Sequence, residues 1–251
     1  MNKINPKFLR PLVKKRVDDS HKGDYGHLLL VGGCQSMPGA AVLATGAALK
    51  SGCGLVTLHS TSRAAQAAIN AFPSAMLSED PGEGFSRVPD GLLRFTAVAV
   101  GPGLGRTEQT EEAFEGLLTR IKEQEDVIPM VLDADALFIL AAHPELYKLI
   151  PAGSIMTPHE GELRRMISWD TPEEKEAALK KLSQETGCVI VSKGFSTEVF
   201  TPEGGKYVNT SGNPGLAKGG SGDVLTGILA ALLGQLPAER AVTTGDRKSV
   251  V

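Results

Sequence analysis

A glycine-crowded loop opens into an apolar helix near the end of the chain, and the acid at their junction is Asp223. Gly215, Gly219, Gly220 and Gly222 leave the backbone free to take positive φ and to approach a ligand closely. Val224, Leu225, Ile228, Leu229, Leu232 and Leu233 fall on one helical face, and Gly234 can end the run. The first turn of such a helix carries unpaired N–H groups and the positive end of the macrodipole, so main chain alone can hold a phosphate there. Asp223 then has two readings. It caps the helix by accepting from the next amides, or it is a general base that takes a proton from an attacking hydroxyl beside a bound phosphate. Ser221 does not read as a nucleophile, because Gly-Gly-Ser-Gly-Asp lacks the last glycine of the Gly-x-Ser-x-Gly elbow. Nor is the spacing that of a P-loop.

The elements that must position this junction alternate along the chain. An apolar run at 28–33 ends in a glycine pair and reads as a buried strand; 37–52 is a helix of small residues, and 55–59 a second strand, which together make a right-handed βαβ unit. Residues 62–71 read as a helix, 75–77 as a short strand and 78–90, rich in Pro, Gly and acids, as a surface loop. A strand at 95–100 leads into Gly-Pro-Gly-Leu-Gly at 101–105, a turn placed where open α/β sheets bind ligands but without dinucleotide-fingerprint spacing. After a helix at 107–124 and a strand at 128–132 come Asp133 and Asp135. They face one way if the strand continues; if a helix starts, Asp133 turns toward a phosphate or the hydration shell of Mg²⁺ and Asp135 caps, the arrangement preferred here.

A strand at 154–156 precedes Thr157-Pro-His-Glu-Gly-Glu162, where helix capping accounts for Glu160 and Glu162 better than for His159. A helix at 172–187 and a strand at 188–192 end at Lys193, which either neutralises phosphate charge or is solvated at a strand end. A hairpin formed by 198–200 and 206–209 delivers the chain to the glycine loop.

Several of these runs resemble one family. Asn213-Pro-Gly-Leu-Ala-Lys-Gly-Gly-Ser-Gly-Asp-Val-Leu-Thr-Gly227 is similar to the signature of the ADP-dependent NAD(P)H-hydrate dehydratases, which have a ribokinase-like fold. So are His21-Lys-Gly-Asp-Tyr-Gly26 before a strand and Gly-Gly, the 101–105 turn, Val131-Leu-Asp-Ala-Asp-Ala-Leu137, Thr157-Pro-His-x-x-Glu162 and Lys193-Gly-x-x-Thr197. The resemblance implies a three-layer α/β/α fold with a mostly parallel sheet, and repair of 6-hydroxylated NADH or NADPH with conversion of ADP to AMP and phosphate. It implies substrate contacts from Ala40, Gly103, His159 and Asp223, with Asp223 the catalytic base. Lys193, Gly194, Phe195, Ser196 and Thr197, with Gly219, Gly220, Ser221 and Gly222, would hold ADP or ATP. Mg²⁺ would accompany the nucleotide, with Asp133 and Glu162 as accessory candidates and no dedicated metal site. A homo-oligomer, a tetramer in many members, goes with the family. The alternatives are a kinase of the same fold acting on a vitamin precursor and a nucleotide-binding sensor without turnover.

Bulk properties set the frame. With 251 residues, 41% hydrophobic and 22% charged, the chain suits one soluble domain, and a net charge of −3 gives no electrostatic case for nucleic acid or membrane partners. The cations at 3–22 read as a solvated face. No apolar run reaches the roughly 18 residues of a membrane span, and a signal-peptide core is missing, so a cytoplasmic protein is expected. Cys34, Cys53 and Cys188 lack the spacing of a disulfide framework or zinc site and read as buried thiols. One domain is expected over 1–245, truncated at its C-terminus. Residues 246–251 resemble translated sequencing-adapter DNA and are read as a non-native tail.

Overall fold

The structure, a computed structural model, describes residues 2–3, 16–209 and 212–248. Most of the cationic 3–22 run, Ser211 and the end of the 246–251 tail lie outside them. In chain order the elements are β1 (Asn2–Lys3), β2 (His27–Val31), α1 (Pro38–Lys50), β3 (Leu55–Thr61), α2 (Ser62–Ala71), β4 (Met76–Asp80), β5 (Ala97–Val100), α3 (Glu108–Lys122), β6 (Met130–Leu132) and α4 (Asp135–Ala142). There follow β7 (Ile155–Met156), α5 (Glu160–Met166), α6 (Pro172–Thr186), β8 (Val189–Ser192), β9 (Thr197–Phe200), β10 (Lys206–Asn209), α7 (Ser221–Leu233) and α8 (Ala238–Lys248). Helix α8 thus runs past the point where the tail was expected to begin.

One ten-stranded sheet, ordered β1-β10-β9-β8-β7-β6-β5-β2-β3-β4, organises the chain. Every pairing is parallel except β8 with β9 and β9 with β10, the predicted hairpin and its neighbour. Strands buried on both faces explain the unbroken apolar runs. Leu28 and Leu30 point into the layer built by α1, α2, α7 and α8, whereas Leu29 and Val31 point into the layer built by α3, α4, α5 and α6. Among the described residues no helix is long and apolar enough to cross a membrane.

The chain leaves β2 toward β3 and β4, then returns to lay β5 on the other side of β2. This reversal opens a crevice at the carboxyl ends of β2 and β5, the place where open α/β sheets bind ligands. Glycines line it because backbones meet there: Gly33 N donates to Pro102 O at 3.0 Å, and a methyl on Gly32 would lie 2.3 Å from the same oxygen.

Small residues in α1 have a matching cause. A Cβ on Gly227 of α7 would stand 2.1 Å from the Ala44 carbonyl oxygen, so the two helices cross in backbone contact. That crossing fixes where the first turn of α7, with Asp223, meets the sheet edge.

The region read as a loop from 78 differs. Strand β4 runs on to Asp80, because Ser78 and Asp80 both bind the buried His59 of β3: Nδ1 lies 2.9 Å from Ser78 Oγ and Nε2 3.1 Å from Asp80 Oδ2. Burial raises the Asp80 pKa, but hydrogen bonds from His59, Ser86 and Gly82 outweigh it and hold the carboxyl well below the usual range. The network ties loop 81–87 to the sheet.

Gly227→Ala tests the helix crossing. Overpacking against backbone is expected to remove about 1–3 kcal/mol from the unfolding free energy, read as a lower urea midpoint at unchanged m-value. A midpoint equal to the parent's would mean that α1 and α7 can separate freely.

Candidate active site

Asp133, at the end of β6, is buried to 2% exposure, and both of its carboxylate oxygens are engaged. Lys193 Nζ lies 2.7 Å from Oδ1, and Thr226 Oγ1 of α7 donates to Oδ2 at 2.7 Å. An ion pair with so little water needs such hydrogen bonds to offset its desolvation. Both oxygens of Asp133, expected to face phosphate or a Mg²⁺ hydration shell, thus already have a protein partner. Among the described residues no group of three or more His, Cys, Asp or Glu side chains is placed to hold a metal ion. A Mg²⁺ carried on a nucleotide's phosphates needs no such cluster, only one or two carboxylates.

The turn between β6 and α4 separates the two acids as expected, but Asp135 does not cap. Ala134 takes a positive φ of 49°, sparsely populated for a residue with Cβ, and swings the Asp135 carboxylate out of its own helix. It accepts instead from Gly105 N at 3.0 Å and Arg106 Nε at 2.5 Å, pinning the far end of the 101–105 turn.

Asp223 does not cap either. Gly220, at φ 91°, is the N-cap of α7, and Asp223 sits inside the first turn. Its carboxyl is half-buried, and burial together with repulsion from Asp133 raises its pKa; Lys193 opposes this, and Asp135 adds to the rise. A carboxylate with raised basicity at a sheet edge is the electrostatic profile of a general base.

Beside it lies a cavity of ≈ 430 Å³ between the Lys193 turn, the 212–217 loop and the head of α7. Lys193, Gly194, Phe195, Thr197, Ser221 and Gly222 line it; Ser196, Gly219, Gly220 and Asp223 do not. Ser221 Oγ is buried there with no hydrogen-bond partner, an unusual state for a hydroxyl and one that a ligand oxygen would relieve. Phe195 stands 84% exposed at the cavity's edge, where an aromatic face can stack on a base. Volume, amides and hydroxyl all fit a nucleotide.

Of the residues assigned to substrate, Gly103 and Ala40 meet each other, while His159 pairs with Lys193 on the cavity side. A Cβ on Gly103, whose φ is 57°, would come within 3.1 Å of Ala40 Cβ and 2.8 Å of Met37 O, so the turn and the head of α1 are in contact. His159 is the N-cap of α5: Nδ1 accepts from Gly161 N at 2.9 Å and Glu162 N at 3.2 Å, while Glu162 accepts from His159 N. Capping thus accounts for His159 as well, which the sequence did not reveal because histidine is not a favoured cap. Glu162 lies 4.0 Å from Lys193, and burial raises its pKa. His21 and Lys22 sit at the amino end of β2, away from the site, where the Lys22 carbonyl packs against Gly54. Thr226 and the loop-holding His59–Asp80 pair were missed; a threonine in an apolar helix and a histidine in a strand carry no signal of their own.

This glycine-headed helix at the crevice of a mostly parallel three-layer sheet defines the ribokinase-like class of α/β proteins. Residues 28–246 match the NAD(P)H-hydrate dehydratases, and the chain belongs to that family. It is 38% identical to the ADP-dependent (S)-NAD(P)H-hydrate dehydratase of Neisseria meningitidis, across 92% of this chain and 77% of that protein. It is 37% identical to the bifunctional NAD(P)H-hydrate repair enzyme of Moorella thermoacetica, across 91% of this chain but only 44% of that longer protein. The ADP/ATP-dependent NAD(P)H-hydrate dehydratase of Bacillus subtilis, co-crystallised with ATP and Mg²⁺, overlays with a TM-score of 0.81 at 28% identity, covering 99% of this chain and 87% of the other.

The cap at His159 gives a clean test. His159→Ala is expected to lose about 1 kcal/mol of stability in chemical denaturation, whereas His159→Asn, a good cap, keeps the parent value. Equal stabilities for the two variants would remove the capping role.

Proposed function

We propose that this protein restores NADH or NADPH from its 6-hydroxylated hydrate, with ADP or ATP as phosphoryl donor. The observation that carries the reading is the basic, half-buried Asp223 at the head of α7, beside a nucleotide-sized cavity whose Ser221 hydroxyl lacks a partner. Family membership and the activity of the Neisseria relative support the substrate.

In this reading the hydrate's ring lies against Ala40, Gly103 and His159, and the nucleotide fills the cavity, its base toward Phe195 and Thr197 and its phosphates toward Lys193 and the amides of 219–222. Asp223 takes the proton of the ring hydroxyl. The freed oxygen attacks the terminal phosphorus, and the bridging P–O bond breaks with its electron pair going to the departing nucleotide, AMP when the donor is ADP. The C6–O bond then breaks, its pair leaving with phosphate while the ring nitrogen's lone pair fills the gap, and loss of the C5 proton to solvent regenerates the dihydronicotinamide. The chain supplies position, a base and a positive pocket; the ring supplies the leaving-group chemistry. Mg²⁺, when bound to the nucleotide, neutralises phosphate charge. A homo-oligomer and a cytoplasmic setting accompany the family resemblance.

Incubating the protein with hydrated NADH, ADP and Mg²⁺ is expected to restore dihydronicotinamide absorbance with matching release of AMP and phosphate. A phosphorylated product that accumulates would favour the kinase alternative, and nucleotide binding with no turnover would favour the sensor. Asp223→Asn is expected to lower kcat by about 10²–10⁴-fold with ADP affinity retained.

The same variant tests the electrostatics through stability. A raised folded pKa means that the folded state binds this proton more tightly than the unfolded chain, so stability declines as pH rises from the unfolded value of 3.8 through the folded one. Above that window the ionised Asp223 is destabilising. Asp223→Asn therefore raises Tm at neutral pH, and the gain disappears in acid. A Tm lowered by the substitution at neutral pH would contradict the repulsion from Asp133.

A further inference from the structure

We propose that Thr226 is a positioning residue for the nucleotide site, acting through Asp133 to hold the Lys193 ammonium at the cavity wall. The inference rests on the nucleotide reading of that cavity. Thr226 is fully buried in the first half of α7 and touches no part of the cavity itself. Its hydroxyl donates to Asp133 Oδ2, and the other oxygen of the same carboxylate receives Lys193, so the three side chains form a line from the core to the cleft. Lys193 is 20% exposed and has a second acid, Glu162, 4.0 Å away on α5. Two carboxylates therefore compete for one ammonium, and the direction it takes depends on which is better held. Asp133 is fixed by Thr226, whereas Glu162 is committed to the backbone N–H of His159. Gly222 closes the argument: a Cβ there would lie 3.7 Å from both Asp133 Oδ2 and Lys193 Nζ, so the line ends directly beneath the first turn of α7 that borders the cavity.

Removing the Thr226 hydroxyl while keeping its shape frees the Asp133 carboxylate to turn, and the ammonium moves with it. Lys193 no longer meets the phosphates at its set distance, and nucleotide affinity falls while the hydrate flank is untouched.

The test is a double-mutant cycle on ADP and AMP affinity, measured by calorimetry without hydrate. Thr226→Val is expected to weaken both nucleotides about tenfold, the loss of one hydrogen bond to a charged group, and Thr226→Ser to restore them. In a Lys193→Met background, Thr226→Val is expected to change affinity by less than about twofold, because its effect passes through the missing lysine. In turnover, Thr226→Val raises KM for ADP and leaves KM for the hydrate as it was. Unchanged affinity in Thr226→Val, or an equal loss in both backgrounds, overturns the proposal. If Lys193→Met does not fold, serine rescue together with the split between the two KM values decides, and failure of either overturns it. Absence of turnover from the parent protein counts against the dehydratase reading alone, since the cycle is read from binding.

Discussion

A buried charge at the end of β6 is the constraint around which the site is arranged. Asp133 has almost no access to water, so its negative charge is tolerable only because Lys193 and Thr226 satisfy it. Those two contacts come from the turn after β8 and from α7, both far from Asp133 in sequence. The same charge is felt by Asp223, one turn earlier on α7, whose proton it makes harder to remove. One carboxylate thus holds the cation and adds to the rise that burial gives the basicity of Asp223. Of the two acids on the turn after β6, one is neutralised by lysine and the other is tied to Arg106.

Much of this was legible because the sheet writes itself into the sequence. Apolar runs such as Leu28-Leu-Leu-Val31 and Val189-Ile-Val191 declare strands buried on both faces, and the glycines after β2 and β5 mark where backbones must meet at the crevice. The Gly-rich head of α7 was equally plain, since only a ligand site or a tight crossing calls for so many missing side chains. What stayed hidden were partners brought together by the fold. Spacing could separate Asp133 from Asp135 but could not name Lys193, Thr226 or Gly105 as their partners. The 78–90 segment reads as polar loop, yet His59, a strand residue, draws Ser78 and Asp80 into the sheet, because a buried imidazole must have hydrogen-bond partners.

His159 is the instructive intermediate case. Its neighbours Glu160 and Glu162 looked like first-turn acids, and His159 was the residue left over for ligand contact. The fold gives it a structural duty through Nδ1 while its side chain stays 56% exposed. Accepting at Nδ1 puts the proton of the neutral ring on Nε2, which is 3.4 Å from Glu162 Oε1. A residue can thus orient its own helix and still present a donor, so the two roles do not compete.

Several unfavourable features of the structure meet at the site, although buried hydroxyls without a partner also occur elsewhere, at Thr45, Tyr147 and Thr244. Ala134 in a sparsely populated backbone conformation, Ser221 with a buried unpaired hydroxyl, and Asp223 and Glu162 with raised pKa values all stand at the carboxyl edge of the sheet or at the head of α7. Each lowers stability in the absence of ligand, and each is held by packing that admits no slack: the α1–α7 crossing at Gly227, the Gly32–Pro102 contact, and the Asp135 grip on Gly105. A phosphate with its counterion would satisfy Ser221 and the free amides at one stroke, and a hydroxyl placed beside Asp223 would give its basicity something to act on. Strain and unmet hydrogen bonds gathered at a crevice and braced from behind are what a preorganised site looks like before its ligand arrives.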